Sequence, residues 1–352
     1  MVWFLLRRLL LLIPTVWVIM SVVFLLSRLI PGTYEDRQTE AAQSQIGGPG
    51  QQPFGAGLRQ VARDEPVFYF SLQSHPKQAL IPLLSWHGAQ NQYHAWLRGL
   101  LHGDLGTSYR DRQPVLTILA DAIGNTLLLL ACSLLLIFLI SIELSLALIA
   151  DSGRRWRRLV LSLLFALDSI PLFILAILLL VFLSGTGYLK LFPLFGLGYT
   201  PAGFTVWETL SNRLYHLMLP GSCLVLAGIP YVTTQLYRVM QGVAAADFIM
   251  TARAKGLSAK VVLRRHVLRN AVLPLITLFT GFLPSLISGA VVVEVIFAIP
   301  GTGRLLADSV LARDYPVVLG LVFFLAALKA ASHLLADFLY FTADPRTRIK
   351  IG

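Results

Sequence analysis

Residues 124–150 read GNTLLLLACSLLLIFLISIELSLALIA, a run that carries one charged side chain, Glu143. A span needs about 20 mostly apolar residues to cross a hydrocarbon layer roughly 30 Å thick. Five more runs of this kind lie at about 9–30, 159–184, 215–240, 271–299 and 316–341. The whole chain is 56% hydrophobic and only 13% charged, so these runs are membrane spans rather than pieces of a soluble core. The expected class is an all-α, polytopic membrane protein with six transmembrane helices. Several runs exceed the minimum length, which implies tilt or interfacial ends. The first run follows Arg7 and Arg8, as in a signal peptide. It is too long for that and lacks a small-x-small cleavage site, so it is read as a retained first helix.

A net charge of +11 invites a nucleic-acid partner, but the charge is sorted by loop. Arg154, Arg155, Arg157 and Arg158 fill the turn between spans two and three, six basic residues lie between spans four and five, and Arg346, Arg348 and Lys350 follow span six. The long 31–123 segment holds seven basic against eight acidic residues. This is the positive-inside pattern, with both termini cytoplasmic and 31–123 external. The basic excess reports topology, and no nucleic-acid partner is expected.

The external segment opens with PGTYEDRQTEAAQSQIGGPGQQPFGAG, a loop composition. Further on, Trp96, Leu97, Leu100 and Leu101 have helical spacing. After a Gly-Asp-Leu-Gly turn, Pro114 opens a second amphipathic helix with Leu116, Ile118, Leu119 and Ile123 on its apolar side. Cys132 and Cys223 fall inside apolar runs and offer neither a disulfide framework nor metal spacing. The ionisable residues of the spans are Arg28, Glu143, Asp168, Arg238, Glu294, Lys329, His333 and Asp337. Each is expected to face protein or water. Lys329, His333 and Asp337 share one helical face, which is either a proton or ion relay or an internal polar seam. No metalloprotease motif, paired-acid motif or phosphate-binding G-x-x-x-x-G-K-[ST] loop occurs, so neither an enzyme nor a self-powered pump is expected, and no cofactor or metal.

The stretch DFIMTARAKGLSAKVVLRRHVLRNAVLPL, residues 247–275, is the densest basic segment. Its first part suits a helix that Gly256 ends in a left-handed cap. Ser258 suits the N-cap of a second helix. The apolar residues of that second helix, among them Val261, Val262, Leu263, Val267 and Leu268, form no single stripe. A helix wetted on one side shows a stripe; one gripped on several sides need not. The segment is either an anchor to anionic lipid or a docking element for a cytoplasmic partner.

TARAKGLSAKVVLRRHVLRNAVLPL resembles the cytoplasmic loop of binding-protein-dependent ABC importer permeases, in their dipeptide/oligopeptide/nickel branch. Met250, Thr251 and Ala252 stand where that family has Glu-Ala-Ala, while Gly256, Leu273 and Pro274 are present. LLRRLLLLIPTVWVIMSVVFLLSRLIPG, GDLGTSYRDRQPVLTILADAIGNTLLLL, SIP at 169–171, EVIFAIPGTGRLLADSVLARDYPVV at 294–318 and DPRTR at 344–348 are similar to the family as well. Residues 31–95 depart from it, Thr33-Tyr34 replace its Asp-Pro, and Glu143 stands where Pro is common. The resemblance implies a type I ABC importer permease fold in a bacterial inner membrane. It divides the chain into a first helix (1–30), an external insert (31–123), a core (120–342) with a coupling loop at 242–270, and a cytoplasmic tail (343–352). It implies a second permease subunit, two cytoplasmic ATPases, an external substrate-binding protein and the lipid bilayer as partners, with peptides or similar small solutes as cargo. It assigns ATPase coupling to Thr251, Ala252, Arg253, Ala254, Lys255, Gly256, Leu257, Leu273 and Pro274. Candidates for the pathway or its gate are Glu294, Pro300, Gly301, Asp168 and Pro171. Pro171, Pro220, Pro230, Pro274 and Pro284 either kink spans beside the pathway or serve packing alone. The competing class is a stand-alone secondary transporter or channel that uses the Lys329, His333 and Asp337 face.

Overall fold

The computed structural model describes residues 2–29, 66–73, 83–150, 153–185, 188–193, 195–198, 203 and 205–343. Seven helices come first: α1 (Val2–Leu29), α2 (Gln92–Leu101), α3 (Val115–Ala150), α4 (Arg154–Asp168), α5 (Leu172–Leu183), α6 (Val206–Ala244) and α7 (Asp247–Ala254). Next is α8, a continuous run made of Ala259–Val261, a π-helical turn Val262–Val267, and Leu268–Asn270. It is followed by α9 (Val272–Ile296), α10 (Thr302–Ala312) and α11 (Tyr315–Ala343). An antiparallel hairpin of β1 (Phe70–Gln73) and β2 (Leu83–Trp86) lies in the insert, with Phe70 opposite Trp86. The start of the insert and the 344–352 tail lie outside the described residues.

Helices α3, α6, α9 and α11 are each long and apolar enough to cross a membrane. Within α1 the apolar stretch Ile13–Arg28 is shorter. The single third span expected over 159–184 needs correction: α4 and α5 meet at a bend of 97°. Hydropathy runs on through the break, but the backbone does not. Pro171 has no N–H to give to a helix ladder, and it drives the preceding residue away from helical angles. Its own ψ of 138° makes it the residue that opens α5. A second correction concerns the amphipathic helix expected at Pro114. It is no separate element but the first turns of α3, a helix of 36 residues. Its covered residues there are Val115, Leu119 and Ala122, while Leu116 is exposed. Helix α6 begins well before its apolar run because Thr205 and Glu208 form a reciprocal capping box, with 2.8 Å from the Thr205 N–H to the Glu208 carboxylate.

The chain divides into two compact units. The first comprises Met1–Leu12, Asp121–Ala307 and Ala327–Gly352. Its main apolar core joins Leu129 and Ile137 of α3, Leu175 of α5, Leu224 and Val232 of α6, and Leu286 and Val293 of α9. Gly228 lets α6 approach its neighbours, since a Cβ there would stand 2.6 Å from Ile137 and 2.9 Å from Phe282. The second unit comprises Ile13–Ala120 and Asp308–Ala326. Met20 and Phe24 of α1 pack there with Tyr93 of α2 and Leu319 of α11. Trp96 stacks on Phe24 at 4.9 Å between centroids, and the Ser21 and Tyr93 hydroxyls are 2.7 Å apart.

Candidate functional site

Two places in the first unit gather most of the candidate residues. One is the α7–α8 hairpin. Helix α7 ends as the sequence implies: Gly256 adopts φ +78° and its N–H donates to the Arg253 carbonyl at 2.9 Å. A left-handed residue there costs an L side chain about 1–2 kcal/mol and glycine nothing. Ser258 occupies the N-cap position of α8 but makes no side-chain cap bond. The hairpin has a sharp inside and outside. Ile249, Ala252, Val262, Leu263, Val267 and Ala271 are buried together with Leu146 of α3 and with Leu236 and Met240 of α6. Every residue from Arg253 to Val261 is exposed. Among the described residues, a Cβ on Gly256 would meet nothing within 4 Å beyond its chain neighbours. Of the coupling candidates, Thr251, Arg253, Ala254, Lys255, Gly256 and Leu257 lie on this surface. Ala252 is a buried anchor, and Leu273 and Pro274 are half-buried in the first turn of α9.

The π turn explains why α8 lacks an apolar stripe. Such a turn inserts an extra residue into the helical repeat. Here it brings Val262, Leu263 and Val267 inward and turns Arg264 and Arg265 out. One guanidinium nitrogen of Arg264 then donates to both carboxylate oxygens of Glu143, at 2.9 and 2.7 Å. Glu143 is the acid that interrupts the apolar run of α3. An unpaired acid at the centre of a lipid-facing helix costs about 2.5–3.5 kcal/mol on insertion scales, as measured for Asp.

The second place is the turn from α9 to α10. Glu294 is fully buried. Its Oε1 accepts from the Thr126 hydroxyl of α3 at 2.7 Å. Its Oε2 accepts from the Gly303 N–H at 2.7 Å and the Arg304 N–H at 3.3 Å, in the first turn of α10. Thr126 Oγ1 in turn accepts from the Thr302 N–H at 2.8 Å, and Asn125 donates to the Pro300 carbonyl at 2.9 Å. The carboxylate thus pairs with a donor on a neighbouring span and also caps a helix start, where the orphan N–H groups and the helix dipole favour an anion. Gly301 suits this packing, because a Cβ would fall on the Glu294 carboxylate and push it off its donors. Pro300 is exposed and Gly301 buried.

Asp168 and Pro171 sit exposed at the break between α4 and α5, apart from the residues that bond Glu294. Lys329 and His333 are exposed on α11, and Asp337 is half-buried. Arg28 is exposed with its guanidinium 5.2 Å from the Phe24 ring centroid. The second unit holds a polar cluster that the sequence does not single out. The buried Asp314 accepts from the Ser108 hydroxyl at 2.5 Å and the Tyr109 N–H at 3.1 Å. Only the acid-after-Arg position in ARDY, where Arg313 takes φ 58°, carries any local hint of it.

Residues 143–349 match the family model described as "Binding-protein-dependent transport system inner membrane component". The oligopeptide transport system permease protein AppB of Bacillus subtilis is 37% identical over 72% of this chain and 79% of its own length. The inner membrane ABC transporter permease protein YejB of Escherichia coli O157:H7 is 29% identical over 97% of this chain and 98% of its own. The dipeptide transport system permease protein DppB of Escherichia coli K12 is 30% identical over 74% of this chain and 81% of its own.

Proposed function

The chain belongs to the family of inner membrane components of binding-protein-dependent transport systems, and from that premise we propose how its surface divides the work of import. It is a permease subunit of an ATP-driven ABC importer, a multi-pass membrane protein that works with ATPase subunits and a substrate-binding protein. Its cargo on our reading is a peptide, the solute class in the names of AppB and DppB. Two permease subunits and two ATPases make the complete transporter, with both termini and the 242–270 loop in the cytoplasm and 31–123 outside.

The exposed apex from Arg253 to Val261 is the ATPase-docking surface, together with Thr251 and supported from below by Ala252. Leu273 and Pro274 carry its displacement into α9. The observation behind this is the contrast between the wet apex and its apolar footing on α3 and α6. A lipid anchor draws about 1 kcal/mol from each basic residue near the surface, but it has no use for a rigid footing or a left-handed glycine. Rigid-body motion of a docked partner passes through packed elements of this kind. The turn at Glu294, Pro300 and Gly301 is the outer gate, and Asp168 and Pro171 border the pathway at the bend between α4 and α5. No ATP is hydrolysed by this chain on this reading. The experiment is co-purification of tagged permease with its ATPases: Gly256→Val loses them while remaining in the membrane. Retention of the ATPases together with parental peptide uptake would refute the docking assignment.

A further inference from the structure

Helix α3 is bonded at two separate levels to the segment that contains the loop and α9. At one level Glu143 receives both bonds from Arg264, which the π turn of α8 aims at it. At the other, Thr126 donates to Glu294 near the far end of α9 and accepts from the Thr302 N–H at the start of α10. Thr126 and Glu143 are separated by 17 residues of one uninterrupted helix, about 25 Å at 1.5 Å per residue. Arg264 and Glu294 are likewise the two ends of one stretch, in which α8 leads into α9 through the single residue Ala271. Two rods joined at both ends shift together or break a joint.

We infer that Glu143 is a positioning residue for coupling: by holding Arg264 it makes α3 follow the docking hairpin, so that movement of the hairpin reaches the Glu294 turn through α3 as well as along α9. The inference rests on the proposed roles of the hairpin and the outer turn. Three features of the pair carry it. Glu143 is the one charged residue of its apolar run, and both of its carboxylate oxygens accept from Arg264. The pair is about half exposed, with 53% of the Arg264 and 61% of the Glu143 side chain accessible. It is therefore a joint on the surface of the unit, free to open without disturbing the buried footing beside it. That footing, the apolar cluster that includes Leu146 of α3 with Val262 and Val267, keeps the hairpin seated when the pair is lost. Apolar contact is non-directional, however, and permits slip along α3, which the directed Glu143–Arg264 bonds oppose. Loss of the pair thus leaves assembly intact and changes how motion is shared between α3 and α9.

The test uses the complete transporter in nanodiscs, this chain with its partner permease, ATPases and binding protein. The quantity is the ratio of ATP hydrolysis with the purified binding protein added to hydrolysis without it, both per bound ATPase. Glu143→Gln lowers this ratio about fivefold, the low end of ordinary allosteric coupling, with ATPase content unchanged. Arg264→Gln lowers it to a similar degree, and the double variant falls no further than either single, as residues acting through one bond do. The exchange Glu143→Arg with Arg264→Glu restores much of the parental ratio. A parental ratio in Glu143→Gln, or full additivity of the two neutral substitutions, would overturn the inference. Retention of the ATPases with parental uptake in Gly256→Val would count against the docking role instead, which keeps the two outcomes apart.

Discussion

The α7–α8 hairpin and the α9–α10 turn both end one helix and begin another, and they do so by opposite means. At the hairpin, glycine at φ +78° makes the turn, the second helix has no side-chain cap, and the apex is open to solvent while apolar residues hold the base. At the α9–α10 turn, a buried carboxylate caps the second helix and small residues allow the backbone to close on it. The hairpin leaves its exposed polar groups available to another protein. At the α9–α10 turn the Thr302, Gly303 and Arg304 N–H groups and the Thr126 hydroxyl are bonded internally, to Thr126 and Glu294. Buried polar networks of that kind are rigid while intact and weak when one member is lost.

The largest effect is expected where that network loses its centre. Glu294→Ala strands the Thr126 hydroxyl and the Gly303 N–H, and each buried unsatisfied group costs about 1–3 kcal/mol. A clear fall in the thermal midpoint of the detergent-solubilised chain should follow, and an unchanged midpoint would show that the turn is not held by this carboxylate. The hairpin comes next. Gly256→Val opposes the left-handed angle by about 1–2 kcal/mol, whereas Gly256→Asn tolerates it. Among the described residues, nothing beyond its chain neighbours lies within 4 Å of a Cβ there. Asn therefore preserves the fold, and any remaining loss of ATPase binding in Gly256→Asn measures the closeness of the partner. Full ATPase binding by Val would deny that the apex shape matters.

A smaller effect separates charge from shape at the α9–α10 turn. Glu294→Gln keeps the size but offers one acceptor oxygen where two are used. The expected cost is about 1 kcal/mol, the net worth of one hydrogen bond, with the complex assembled and its response to the binding protein altered. The smallest effect is at Ser258, which makes no cap bond. Ser258→Ala should shift stability by no more than about 0.5 kcal/mol, and a larger loss measured by thermal denaturation would reveal a capping role that the structure lacks.

The sequence carries the two regions to different depths. The left-handed cap at Gly256 is legible because only one residue type makes it cheaply, and the α7–α8 hairpin is legible as a basic segment between two apolar runs. Glu294 stands out as a lone acid in a span, but its partners do not: Thr126 is remote in sequence and looks like any other threonine in an apolar helix. The same holds for Asp314 and Ser108. The bend at residues 168–171 is hidden because hydropathy averages over a proline that the backbone cannot ignore. The π turn has no compositional signature, since it changes hydrogen-bond register and not residue type; its trace is the missing apolar stripe in α8.

The account stands on the claim that the apex from Arg253 to Val261 is covered by the ATPase and by nothing in its own chain. A single cysteine at Ala259, in a chain carrying Cys132→Ala and Cys223→Ala, measures this in inside-out membrane vesicles with an impermeant thiol reagent. Rapid labelling in vesicles stripped of ATPases, and protection when purified ATPases are restored, is the predicted result, with a control cysteine at the exposed Leu101 unreactive in both. Equal labelling of position 259 with and without ATPases, or its labelling from outside intact cells, would contradict the account.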